Sequence, residues 1–94
     1  MKKNEKAGIY QLCLNDEISY EGRKLHVQTE DIGVDKAQIV TNVFSGGQVL
    51  FSKATEYKDL LGKDDFNKVL VDRVRMQHRT ILAGISAGKL KVGP

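Results

Sequence analysis

A chain of 94 residues with 40% hydrophobic and 29% charged content supports one globular core and argues against overall disorder, since single cores take roughly 50–200 residues. At this length only about 60–65% of the unfolded surface is buried on folding, which leaves little room for a deep pocket beside the core. The net charge is a mild +3: residues 1–47 hold six basic against seven acidic side chains, residues 48–94 nine against five, and no acid follows Asp72, a field too weak to dictate a nucleic-acid partner.

Residues 1–7 are polar and charged and are expected as a flexible N-terminal tail. The apolar stretch Ile9–Leu14 behind Met1-Lys2-Lys3 is too short for a signal peptide, is interrupted by Gln11 and is closed by Asn15-Asp16-Glu17. No run approaches the 18 apolar residues of a transmembrane helix. The single Cys13 has no disulfide partner within the chain, and a lone thiol suits a reducing compartment. A soluble, cytoplasmic protein with no membrane association is expected.

From Ile9 to Tyr20 apolar residues alternate loosely, with Leu12, Leu14, Ile18 and Tyr20 on one parity; Asn15-Asp16 is expected to break or bulge this first strand. Glu21-Gly22 offers a tight turn. Arg23 to Glu30 alternates cleanly, placing Leu25, Val27 and Thr29 on one face and Lys24, His26, Gln28 and Glu30 on the other. After a loop over 31–36, Ala37 to Phe44 reads as a third strand, and Gly46-Gly47 as a hairpin turn into a fourth, Gln48–Ser52. Ala54–Leu61 is expected to hold a short helical turn ended at Gly62. The main helix then begins at Lys63 or Asp64, with Asp64 and Asp65 complementing the positive end of its dipole. Phe66, Leu70, Val71, Val74, Ile81, Leu82 and Ile85 fall in an arc of about 160°, wide enough to lie across a sheet. Gly84 costs about 1 kcal/mol against Ala in a helix, and Gly88 is expected to end it. The organisation is thus one α+β domain over 8–88, about four antiparallel strands in a meander with one long C-terminal helix on one face, and a flexible tail over 89–94. Two other layouts stay open: a first strand split in two, and a dimer sharing a sheet.

Three groups of residues bear on function. His26, Gln28 and Glu30 project from one strand face at about 7 Å intervals, and Gln77 and His78 fall inside the apolar arc of the helix. A buried amide and imidazole need partners, since leaving either unpaired costs about 1–3 kcal/mol; Thr41 and Thr29 are candidates. Convergence of the two sets would make a small-ligand or enzymatic site, although parity turns His26 away from the helix that carries His78. Lys68, Arg75 and Arg79 form a ridge on the helix, interrupted by Asp72, that offers weak nucleic-acid binding. Val69, Met76 and Ala83 repeat every seven residues outside the sheet-facing arc, a seam for self-association. Catalytic, metal and cofactor signatures are not read. His26 and His78 lack close-spaced ligands. Cys13 reads as core, no nucleophile elbow occurs, and Ala83–Leu90 echoes a phosphate loop without its first glycine or its Ser/Thr.

The stretch His26-Val27-Gln28-Thr29-Glu30-Asp31, then Ile39-x-Thr41-x-x-Phe44-x-Gly46-Gly47, Tyr57 and Gln77-His78, resembles a family of small uncharacterised bacterial proteins. The resemblance spans about residues 17–82. It implies a bacterial origin and an intact single domain, and it brings no assigned activity and no functional residues. The leading functional expectation is a non-catalytic protein-interaction module with an unknown protein partner, possible as a homodimer through the helix seam or an exposed sheet edge.

Overall fold

A computed structural model of the chain describes residues 12–92. They contain four strands, β1 (Cys13–Tyr20), β2 (Arg23–Asp31), β3 (Gln38–Ser45) and β4 (Gln48–Glu56), and one helix, α1 (Phe66–Ser86). The strands pair antiparallel in chain order in one sheet, and α1 packs on one face of it, the α+β meander that the residue periodicities predict. The expected tail over 1–7 and the start of the first strand at Ile9 lie outside the described residues.

Two-residue turns set the register. Glu21 and Gly22 have φ of 51° and 78°, Gly46 and Gly47 of 57° and 83°, the doubly positive pattern whose twist suits adjacent strands. Tyr20 therefore faces Arg23, and Ser45 faces Gln48. The break expected at Asn15-Asp16 does not occur: β1 pairs continuously from Cys13 opposite Glu30 to Tyr20 opposite Arg23. Both polar side chains find partners, Asn15 with His26 of β2 on one face and Asp16 with His78 of α1 on the other, so the strand has no reason to bulge. The irregularity lies between β3 and β4, where Val43 faces Phe51 but Phe44 faces Val49. β4 also runs past Ser52, because Ala54 and Thr55 continue the ladder opposite Val40 and Ile39. The helical turn expected from Ala54 shrinks to a 3-10 turn at Lys58–Leu60.

Strand alternation places Leu25, Val27, Ile39 and Val43 under α1, where they meet Leu70, Val74, Ile81 and Ile85; all eight are buried. Each such side chain contributes about 1.5–3 kcal/mol of transfer free energy. A second fixing point lies where the β2–β3 loop meets the end of β4. The buried Asp31 carboxylate accepts the Tyr57 hydroxyl at 2.6 Å and the Gly33 amide at 2.9 Å through the same oxygen. Burial, and then the hydrogen bond to Asp31, push the Tyr57 phenol well above its ordinary pKa.

The helix ends where glycine allows a left-handed residue. Gly88 has φ of 73°, and the amides of Lys89 and Leu90 both turn back onto the Gly84 carbonyl, a helix-closing geometry that β-carbon-bearing residues resist. Leu90 and Val92 pack against the cluster of Leu25, Val27, Val43, Ile81 and Ile85, so the chain beyond Gly88 stays against the domain through Val92 instead of leaving it as a tail. Gly84 has its explanation here. A β-carbon built on it would sit 3.3 Å from that of Leu90, so the glycine makes room for the returning chain.

Candidate functional site

The open face of the sheet carries the first group. His26, Gln28 and Glu30 project away from α1, beside Cys13, Asn15 and Glu17 of β1. His26 Nε2 lies 2.9 Å from Asn15 Oδ1, the His26 ring is tilted against Phe44 at 6.2 Å, and Gln28 Nε2 reaches the Cys13 sulfur at 3.5 Å. Cys13 is exposed, which corrects its assignment to the core: with Leu14 on the core parity, its neighbour must point outward. Asn42 Oδ1 accepts from Ser52 Oγ at 2.6 Å further across the same face. These are cross-strand pairs on a solvated surface.

Gln77 and His78 lie on the other face, so the two groups do not converge. The pair instead completes a hydrogen-bonded chain through the core, with Thr41 and Thr29 as partners. Gln77 Nε2 donates to Thr41 Oγ1 at 3.0 Å, the Thr41 and Thr29 hydroxyls lie 2.7 Å apart, Thr29 Oγ1 is 2.8 Å from His78 Nδ1, and His78 Nε2 is 2.8 Å from Asp16 Oδ2. A neutral imidazole satisfies every link with donors running one way. Gln77 donates to Thr41, Thr41 to Thr29, Thr29 to Nδ1, and Nε2–H to the Asp16 carboxylate. Such chains polarise each bond in turn and are costly to break partway. Asp16 was missed in the sequence, although an acid on the core-facing parity of β1 was the signal.

Asp16, His78 and Thr29 have the order of a base-activated hydroxyl, but the Thr29 hydroxyl is fully buried between His78 and Thr41. A nucleophile must reach its substrate; this oxygen reaches only its two neighbours. Among the described residues no group of three His, Cys, Asp or Glu side chains is placed to hold a metal ion, and no helix is long and apolar enough to cross a membrane.

The two flanks of α1 differ. Lys68, Arg75 and Arg79 are exposed, and Arg75 and Arg79 border a shallow recess of about 270 Å³ that also holds Asn15, Asp16 and His78. Asp16 dilutes this positive flank, whereas Asp72 lines the groove on the other side of the helix. The opposite flank borders a larger groove of about 540 Å³ between α1 and β4. Its floor is Ile39, Phe51, Lys53 and Thr55, its helical wall includes Val69, Met76, Thr80 and Gly84, and Leu90 closes one end. Met76 is 67% exposed. Of the heptad seam, Val69 and Met76 enter the groove wall, while Ala83 is exposed and not part of the lining. Arg73 anchors the far end: its guanidinium grips the Asp59 carboxylate with two bonds, 3.0 and 2.7 Å. That grip holds Asp59 below the usual carboxylate range and raises Arg73 above its own.

The groove follows from where α1 sits. The helix lies over β2 and touches β1 and β3, leaving the helix-side surface of β4 largely uncovered among the described residues. Strands about 4.8 Å apart make a four-stranded sheet about 19 Å wide, enough for two helices of about 10 Å. One lane is filled and the other is open. Compared with protein-family models, curated proteins and solved structures, the chain matches none of them.

Proposed function

We propose that this chain is a non-catalytic protein-interaction module that receives its partner in the open lane between α1 and β4. The observation that carries the reading is the groove itself: Ile39, Phe51, Val69, Met76 and Leu90 line it among the charged Lys53, Asp72, Arg73 and Lys89, and Met76 stands two-thirds exposed in its wall. Exposed apolar surface gathered into one concavity, unlike single scattered residues, marks a surface built for contact. The polar chain under the helix supports the same role, because it fixes the lateral position of α1 and so keeps the lane open. The exposed lone thiol and the pattern around His26–Asp31 favour a bacterial cytoplasm as the setting.

The test is a photo-crosslinking amino acid placed at Met76 and, as a control, at Gln28 on the open sheet face, in cells that make the protein. The reading expects covalent adducts from position 76 and few from position 28. Adducts from position 28 alone would move the docking surface to the polar face, and none from either would remove the interaction reading. The exposed cations Lys68, Arg75 and Arg79 favour a second reading, weak nucleic-acid binding by the opposite flank. Its signature is affinity that falls steeply with salt; no binding near 50 mM salt would remove it.

A further inference from the structure

We infer that the occupant of the open lane is an amphipathic α-helix of another protein, acidic in its first turns and basic in its last, lying antiparallel to α1. The inference rests on the interaction reading above and states the chemistry of the partner.

The wall of the lane has the form that receives a helix. The α1 side chains that line it fall on two adjacent rows of four-residue spacing, with Met76, Thr80 and Gly84 on the outer row and Val69, Arg73 and Gln77 on the inner. The furrow between two such rows is where a ridge of a neighbouring helix seats, with axes about 8–10 Å apart. From Val69 to Gly84 the rows span about 22 Å, enough for a partner helix of about four turns. The outer row shrinks from Met76 through Thr80 to Gly84, so the partner comes closest at that end, over Phe51 of β4. A large apolar side chain fits there against Phe51 and Leu90, and another fits beside Val69 and Met76.

Charge selects the direction of the occupant. α1 and β4 run in opposite directions: Thr55 pairs with Ile39, in the cluster of Leu70 and Val74, and Phe51 pairs with Val43, in the cluster of Ile81 and Ile85. The lane therefore passes Asp72 near the start of α1, Lys53 halfway along and Lys89 at the far end. Lys53 is placed by Gln77, whose amide nitrogen lies 3.5 Å from the Lys53 carbonyl oxygen. Arg73 is matched by Asp59. Asp72, Lys53 and Lys89 are exposed and form no ion pair among the described residues.

The lane is thus acidic at one end and basic over the rest. An antiparallel helix brings its first turns to Lys53 and Lys89 and its last turn to Asp72. Acidic residues in a first turn and basic ones in a last turn also suit the dipole of the helix that carries them. The lane and the helix's own stability therefore ask for the same sequence. A parallel helix would need basic residues first and acidic ones last, against its dipole.

The test is a displayed library of helical peptides of about four turns, apolar at i, i+3, i+4 and i+7, with Glu, Lys and Gln randomised in the first and last turns. Selection on the full chain should return Glu in the first turn and Lys in the last. The variant Asp72→Lys/Lys53→Glu/Lys89→Glu, altered only at exposed positions, should return the reverse order. The peptide selected on the natural chain should bind this variant about tenfold more weakly. Proline at the centre of the peptide should abolish binding, because it breaks a helix. Met76→Glu should do the same from the protein side, with circular dichroism to show that it folds. Peptides of the opposite charge order, an order unchanged by the charge-reversed variant, or binding that survives the proline each overturn the inference. A two-chain mass in sedimentation that Met76→Glu abolishes assigns the lane to a second copy and overturns it too. So does failure to select any peptide; if position 76 still crosslinks to a protein in cells, the interaction reading stands and only the helix is lost, and absence of any adduct removes both.

Discussion

Replacing Thr29 with valine tests the buried polar chain with almost no change of shape. The substitution removes one oxygen, which bridges His78 Nδ1 and the Thr41 hydroxyl at 2.8 and 2.7 Å. His78 is only 4% exposed, so its Nδ1 loses a partner where water has poor access, a loss of about 1–3 kcal/mol for a buried unsatisfied group. Thr41 keeps Gln77 as its donor and contributes less. We expect Thr29→Val to destabilise by about 2–3 kcal/mol, a large share of the roughly 5–14 kcal/mol typical of a domain this size. The melting temperature should fall by about 10–20 °C. The informative experiment is a double-mutant cycle with His78→Leu, read by urea denaturation. Once the imidazole is gone, Thr29→Val leaves no orphaned nitrogen, so the double variant should be more stable than the sum of the two losses by at least about 1 kcal/mol. Additivity within about 0.5 kcal/mol would refute the claim that these residues act as one chain.

Further predictions follow from single residues. Tyr57 has a raised folded-state pKa because burial and the Asp31 carboxylate both favour its protonated form. Its stabilisation is therefore complete below the ordinary phenol value of about 10 and declines as pH rises above it. Tyr57→Phe should cost about 1.5–3 kcal/mol at neutral pH, as for a hydrogen bond to a charged group, and should flatten the loss of stability above pH 10 seen by denaturation at stepped pH; an unchanged alkaline limb would contradict this. Glu21 occupies a left-handed turn position, φ 51°, that asparagine tolerates better. Glu21→Asn should raise stability by about 0.5–1 kcal/mol, and a lower melting temperature would count against the turn geometry.

Much of the fold was legible because strand parity carries its own information. Leu25, Val27 and Thr29 alternate with His26, Gln28 and Glu30, and the structure buries the first set and leaves the second half-buried on the open face. The glycine pair at 46–47 marks its hairpin, and the misplaced Gln77 and His78 announce a buried polar chain. Two buried networks hold the misplaced polar residues: Thr29, Thr41, Gln77 and His78 form one, Asp31 and Tyr57 the other. Their hydrogen bonds explain why polar residues stand at these buried positions. Tertiary partners decided what local rules misjudged. Asn15-Asp16 reads as a break until His26 and His78 are placed beside it, and Ala54-Thr55 reads as helical until β3 offers it a ladder. Cys13 looks apolar by type but falls on the outward parity. The lane was invisible in sequence because residue periodicity says which face of a helix is buried, not where the helix lies across the sheet.

The central claim, that the lane is a docking surface, meets its most direct test at the Met76 methyl group. The sequence has two methionines, Met1 and Met76, so methyl-labelled protein gives two assignable signals, and a soluble paramagnetic agent reports how far each is exposed. The account predicts that the Met76 signal broadens strongly in the isolated protein, as its 67% exposure requires, and becomes shielded when a partner occupies the lane. A Met76 methyl equally accessible at every concentration, with no partner from the cell able to shield it, would contradict the claim.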